Sequence, residues 1–173
     1  MTSPDSAASV AELLAIRKTV SRVFRASTRD MEHARLDLEL AAECSGRFHV
    51  FVRVLRALSE NFSVGLRYAS AGTGETVLLR VNGDHGSHRN PDGAMILEGP
   101  HLHSYRPPLL GQPPRPSAHA RWASPLPPDH LALPTAWRTF CGQIALAPDA
   151  KVDRTIATLY ASLAQLPLPG PSP

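Results

Sequence analysis

Four of the chain's eight histidines fall within one short stretch. It reads Asn82-Gly83-Asp84-His85-Gly86-Ser87-His88-Arg89-Asn90-Pro91-Asp92-Gly93, followed by Gly99-Pro100-His101-Leu102-His103-Ser104-Tyr105. Imidazole titrates near neutral pH and is the commonest protein metal ligand, so this cluster admits two chemistries. In the first, His101 and His103 act as general acid and base, and Arg80 and Arg67 neutralise a phosphate. Arg53 and Asn82 contact the substrate, His85 and His88 ride on a closing loop, and Tyr105 orients or donates. That set suits metal-free cleavage of RNA through its 2′-hydroxyl and needs no cofactor. In the second, His85, His88, His101 and His103 bind a divalent ion such as zinc, with Asp84 or Asp92 as an oxygen ligand. His-x-x-His in a loop and His-x-His in a strand are compatible with a metal site and diagnostic of none.

Whether these side chains meet depends on the elements carrying them. Period-two alternation predicts strands around Leu36, Leu38 and Leu40, around Phe48, Val50, Val52 and Val54, and around Phe62, Val64, Leu66 and Tyr68. A fourth strand runs from Glu75 to Asn82, after the turn signal Gly72-Thr73-Gly74. Pro100 lacks the N–H that a ladder requires, so a fifth strand is placed near His101, opposite residues close to Val81. If Leu102 faces the core, His101, His103 and Tyr105 project from the other face, with Arg53, Arg67, Arg80 and Asn82. Phe51, Leu55 and Leu78 share that face, so a helix, the proline-rich segment or a second subunit is expected to cover part of it; the last would make a homodimer. Those arginines have a simpler use too, pairing with Asp37, Glu39 or Glu75 across strands. The connection from Gly83 to Pro100 is longer than compact domains usually keep without a functional reason.

Ahead of the strands, Ser9 with Glu12 forms a capping box, and Val10, Leu13, Leu14, Val20 and Phe24 follow a helical stripe, predicting one N-terminal helix. Behind them, residues 107–134 are crowded with prolines and are read as an extended surface segment. Trp137, Phe140, Cys141 and Ile144, then Val152, Ile156, Leu159, Tyr160 and Leu163, predict two short helices separated by Pro148. The fold class expected is α+β: a five-stranded antiparallel meander with one helix before it and two after. Residues 9–166 would form a single domain, flanked by a tail over 1–8 and a proline-rich tail over 167–173.

The bulk composition is permissive. The chain has 173 residues, 43% of them hydrophobic, enough for one ordinary core. No apolar run is long enough for a membrane helix, and the N-terminus lacks the plan of a signal peptide, so a cytoplasmic protein is expected. Cys44 and Cys141 sit in no metal-binding or redox spacing and are expected to be reduced, buried thiols. The net charge of +3 comes almost entirely from arginine, with Lys18 and Lys151 the only lysines. This charge is dispersed and lacks the dense basic run of a nucleic-acid patch. His33, His49, His119 and His130 are read as exposed and without function.

The text Leu78-Leu79-Arg80-Val81-Asn82-Gly83-Asp84-His85-Gly86-Ser87-His88-Arg89-Asn90, continued by Pro100-His101-Leu102-His103, resembles a domain of unknown function found in small bacterial and phage or mobile-element proteins. Its recurring pattern is Leu-Leu-Arg-x-Asn-Gly-x-His-x-x-His-x-Asn followed by Pro-His-x-His. The likeness covers about Arg47 to Tyr105, with a final helix matching Trp137 to Ile144; the proline-rich stretch between is longer than the pattern. The resemblance implies where the site is, at Arg80, Asn82, His85, His88, His101 and His103, and carries no activity. Its mobile-element setting suits a toxin, an antitoxin or an anti-defence protein, and so favours the nuclease reading. A non-enzymatic alternative is an inhibitor or regulator that engages another protein through the 83–100 loop and the proline-rich segment.

Overall fold

A computed structural model of the chain describes residues 7–25, 32–69, 74–96, 98–105 and 122–164. Strands β2 (His33–Ala42), β3 (Arg47–Leu55), β4 (Leu58–Ala69) and β5 (Thr76–Asn82) form a consecutive antiparallel meander, as alternation predicts. In register, Leu38 faces Val50, Val50 faces Leu66, and Leu66 faces Leu79, so one apolar row crosses four strands. Leu38, Val50 and Leu66 have no exposed surface. Helices α2 (Leu133–Gln143) and α3 (Ala150–Ala164) add Trp137, Phe140, Val152 and Ile156 to the same core. The prolines at 107, 108, 113, 114 and 116, the tail over 167–173 and residues 1–6 lie outside the described residues, whereas Ala7 and Ala8, expected in the N-terminal tail, already belong to the first helix.

The sheet is wider than the expected five strands. It has seven, in the order β1-β2-β3-β4-β5-β8-β9. The N-terminal helix ends early: α1 spans Ala7–Ala15, and Lys18–Arg25 is strand β1, paired antiparallel with β2. Val20 and Phe24 therefore belong to a strand and not to a helical stripe. Ile16, Thr19, Val20 and Val23 are β-branched and lose side-chain freedom in a helix; long-range pairing with β2 then decides the contest that local periodicity left to the helix. The opposite edge comes from the proline-rich segment. Trp122–Pro125 forms β9 beside β8 (His101–Ser104), and Pro128–Leu131 forms a 3-10 turn leading into α2. Pro125 is the last residue of an edge strand, where a missing N–H is tolerated.

Inside the long connection, β6 (His88–Arg89) and β7 (Met95–Ile96) form a separate two-stranded ribbon. The chain leaves β5 through a tight passage: Gly83 N–H donates to Phe62 O at 3.0 Å and Asp84 N–H to Glu60 O at 2.8 Å. A Cβ on Gly83 would lie 1.9 Å from Glu60 O, so only glycine fits this approach.

Lys18 is the least expected feature of the core. It has no exposed surface, and its Nζ donates to the carbonyls of Leu13 (2.7 Å), Leu14 (3.1 Å), Ile16 (2.7 Å) and Ile144 (2.9 Å). The ammonium ties the end of α1 to the end of α2 and lies 4.6 Å from the centroid of the Phe48 ring. Both cysteines are free thiols and half-buried, and burial, followed by the charge of Asp153, pushes the Cys141 thiol up to about 12.

Candidate metal centre

Because β8 pairs antiparallel with β5, His101 stands opposite Asn82 and His103 opposite Arg80. Directly paired residues share a sheet face, so these four side chains emerge together, on the side away from the apolar row. The face is covered. His101 is fully buried and His103 is 4% exposed, so these rings do not line an open solvated surface.

His88 reaches them from the loop. Its ring centroid is 4.4 Å from that of His101 and 5.0 Å from that of His103, and the latter two are 4.8 Å apart. One ring nitrogen from each of the three lies within 4.8 Å of the other two. Asn90, two residues on, holds the loop in place. Its Nδ2 donates to Ala123 O at 3.0 Å, and its Oδ1 accepts from Ala123 N–H at 2.8 Å. The amide thereby acts as a neighbouring strand for β9 at Ala123, the residue opposite His103.

The hydrogen bonds divide the rings into satisfied and unsatisfied atoms. Ser63 Oγ–H donates to Asn82 Oδ1 at 2.8 Å, Asn82 Nδ2 lies 3.1 Å from His101 Nε2, and His101 Nδ1 lies 2.7 Å from Gly99 O. The Gly99 carbonyl can only accept, so Nδ1 of His101 carries the hydrogen and Nε2 holds a lone pair, to which Asn82 donates. By contrast His88 Nε2, both nitrogens of His103 and Nε of Arg80 are buried without a hydrogen-bond partner. More than nine in ten buried polar groups are normally paired. Here four such atoms gather in one place.

All three rings are held neutral. Burial, opposed by the Gly99 hydrogen bond and reinforced by the neighbouring histidines and Arg80, brings His101 down to about 4. Burial and then Arg80 bring His103 down to about 3, and the same two causes lower His88. An unfolded chain takes up these protons below about 6.5, whereas the folded one resists until about 4 and about 3. The unfolded state therefore binds more protons in that window, and stability must fall as pH falls. Chelator-treated protein is expected to show urea unfolding free energies that are level between about pH 6.5 and about pH 7.5 and decline below that, by up to ~1.4 kcal/mol per pH unit for each ring. A level free energy down to pH 4.5 would refute this.

The other residues expected at the site lie around this trio or apart from it. His85 is exposed, and its Nε2–H donates to Phe62 O at 2.8 Å, with Ser63 Oγ at 3.4 Å; it flanks the trio without joining it. Asp84 Oδ1 accepts from Gly86 N–H and Asp92 Oδ1 from Ala94 N–H, so both serve loop turns. Tyr105 follows the last residue of β8 and packs against the hydrophobic core. Arg53 and Arg67 lie over the Phe51 ring, 5.4 and 4.7 Å from its centroid, and Arg67 pairs with Glu75 at 3.3 Å. Among the remaining histidines, His130 is buried rather than exposed: it bonds Asp129 and Thr139 at 2.9 Å each and joins the 3-10 turn to α2. His119 lies outside the described residues.

Reading the sequence missed Asn90 and Ala123. Asn90 stands in the His-x-x-His-x-Asn text and was available as a signal; Ala123 had none. A family model described as a family of unknown function, DUF6978, matches residues 6–145. No curated protein and no solved structure matches the chain.

Proposed function

Since the chain belongs to the DUF6978 family, whose function is unknown, we propose from its site geometry that it is a metal-dependent enzyme in which His88, His101 and His103 hold one transition-metal ion. The observation that carries this reading is the convergence of three imidazoles whose facing nitrogens are buried and, on His88 and His103, unpaired. Leaving one buried polar atom unpaired costs about 1–3 kcal/mol. A metal ion takes one lone pair from each ring and so accounts for His88 Nε2 and one nitrogen of His103; the other His103 nitrogen carries the hydrogen and keeps no partner among the described residues.

The donor set restricts the ion. Three imidazoles without thiolate suit zinc, iron, nickel, cobalt or copper, whereas magnesium and calcium require oxygen. Zinc–nitrogen bonds of ~2.0–2.1 Å place tetrahedral ligands roughly 3.4 Å apart, so nitrogens that now lie within 4.8 Å of one another would draw together on binding. The Gly99 carbonyl fixes the tautomer of His101, a usual outer-shell role, and leaves Nε2 as its ligand atom. Asn82 yields that nitrogen to the ion. Three neutral ligands leave the full dication charge and room for a water or substrate oxygen, the arrangement that lowers the pKa of bound water to ~7. Metal-assisted hydrolysis is the reaction class this suits. Cleavage of a phosphodiester by His101 and His103 alone would require one of them protonated near neutral pH, and burial beside Arg80 opposes that.

Protein purified without a histidine tag, or its chelated form reloaded with zinc or cobalt, should carry close to one ion per chain by elemental analysis. His103→Ala should lose it and His49→Ala retain it. If the folded wild-type chain takes up no stoichiometric ion from either metal, the reading is wrong.

A further inference from the structure

Arg80 stands beside the three rings with nothing among the described residues to neutralise it. It lies opposite His103 on β8 and opposite Gly65 on β4. Gly65 leaves that strand bare next to it: a Cβ there would lie 2.3 Å from the Phe51 ring, which occupies the space instead. The arginine is half-buried, its Nε is buried and unpaired, and no hydrogen-bond or ion-pair partner reaches it among the described residues. Neighbouring arginines differ: Arg67 has Glu75.

The balance of charge around the cluster is one-sided. Every charge that acts on His103 is positive or becomes positive on protonation, namely Arg80, His101, His88 and His85. The same holds for His101, and Asp84 acts only as far as His85. A guanidinium partly withdrawn from water without an anion is disfavoured, and a bound dication would add two further positive charges. Proteins usually meet such a situation with a carboxylate. None of the described residues supplies one here, so the missing negative charge must arrive with the ligand.

We infer that Arg80 is the receptor for an oxyanion, a phosphate or carboxylate group of the substrate, held between its guanidinium and the three-histidine centre. The inference rests on the metal reading for its second point of contact and on Arg80 alone for its first. A planar guanidinium fork matches either oxyanion through two parallel N–H···O bonds, and a metal ion takes another of the oxygens. The half-buried ring of His88 marks the side from which the ligand enters, because His101 and His103 are closed off. The burial of those two rings suits a small molecule or a terminal group better than the middle of a polymer. An ester or anhydride of such an acid would then present its reacting centre to a metal-bound water.

The test is calorimetric titration of inorganic phosphate and, separately, acetate into chelated and zinc-loaded protein, with metal content measured on the same samples. Wild-type loaded protein should bind at least one of the two anions, and the stronger arm tells phosphate from carboxylate chemistry. Arg80→Gln should keep its metal and its melting behaviour while anion affinity falls ~10–100-fold, and Arg80→Lys should retain part of it. Equal anion binding by wild type and a folded, metal-bearing Arg80→Gln overturns the inference, as does no binding of either anion to loaded wild type. If the chain takes up no metal yet the wild type binds anion and Arg80→Gln does not, the metal reading fails and the role of Arg80 stands.

Discussion

Asn90→Ala should unfold about 2–4 kcal/mol more easily than the wild type and bind zinc ~10–100-fold more weakly, although residue 90 is not among the proposed ligands. Both effects come from one side chain. Its amide pairs with the N–H and the carbonyl of Ala123, and its own backbone closes the loop turn by donating to Ala94 O and accepting from Gly93 N–H. Alanine keeps the turn and strands both polar groups of Ala123, at about 1–3 kcal/mol each when water cannot reach them. The ribbon carrying His88 then loses its attachment to the sheet edge at the position opposite His103. Denaturant unfolding gives the first effect and competition with a coloured chelator the second. Hydrogen exchange should show the 83–100 loop opening while β2–β4 stay protected. Wild-type stability and wild-type zinc affinity together would show that the loop does not depend on this anchor.

Lys18→Met should destabilise the fold by about 3–5 kcal/mol, from two or more buried carbonyls left without a donor. Methionine nearly matches the length of the lysine stem and fills the space beside Phe48, so the loss isolates the ammonium. Burial lowers this amine to about 8, and the four carbonyls around it hold it charged at neutral pH. A cation at the C-terminal end of α1 also meets the negative end of that helix. Without it, α1 and the 144–147 segment lose their common tie, since Lys18 also exchanges backbone bonds with Ala145 and Ala147. Urea unfolding checks the magnitude. A change under 1 kcal/mol would mean that water replaces the ammonium in the cage.

The order of expected effects separates fold from site. Lys18 lies at the far side of the sheet from the histidines, with β1 and β8 near opposite edges, so Lys18→Met should reduce stability while leaving zinc affinity of the folded fraction unchanged. Asn90→Ala should change both, because its bonds hold the loop that carries His88, a proposed ligand.

Residue alternation was sufficient to determine the four-strand meander and the faces of its central residues, but not those at the start of β5, where a bulge at Leu66/Arg67 pairs Val77 with Arg67 and turns it away from the apolar row. It also paired His101 with the end of β5, because Pro100 can only begin a strand and parity follows once Leu102 is turned inward. The concentration of histidine in 85–103 pointed to the candidate site for the same local reason. What alternation cannot carry is information about the opposite side of a contact. Lys18–Arg25 has the periodicity of a helix until β2 is available to pair with it, and Trp122–Pro125 has no periodicity until β8 offers an edge. The same limit applies to the histidines: their shared face and the need for a cover over part of it were legible, but the cover itself was not, because it includes His88 on a loop that Asn90 ties to Ala123. Three-dimensional packing thus chose His88 as the third member of the cluster, left His85 outside it, and half-buried Arg80 with no counter-charge among the described residues, since each of those outcomes depends on contacts between residues distant in the chain.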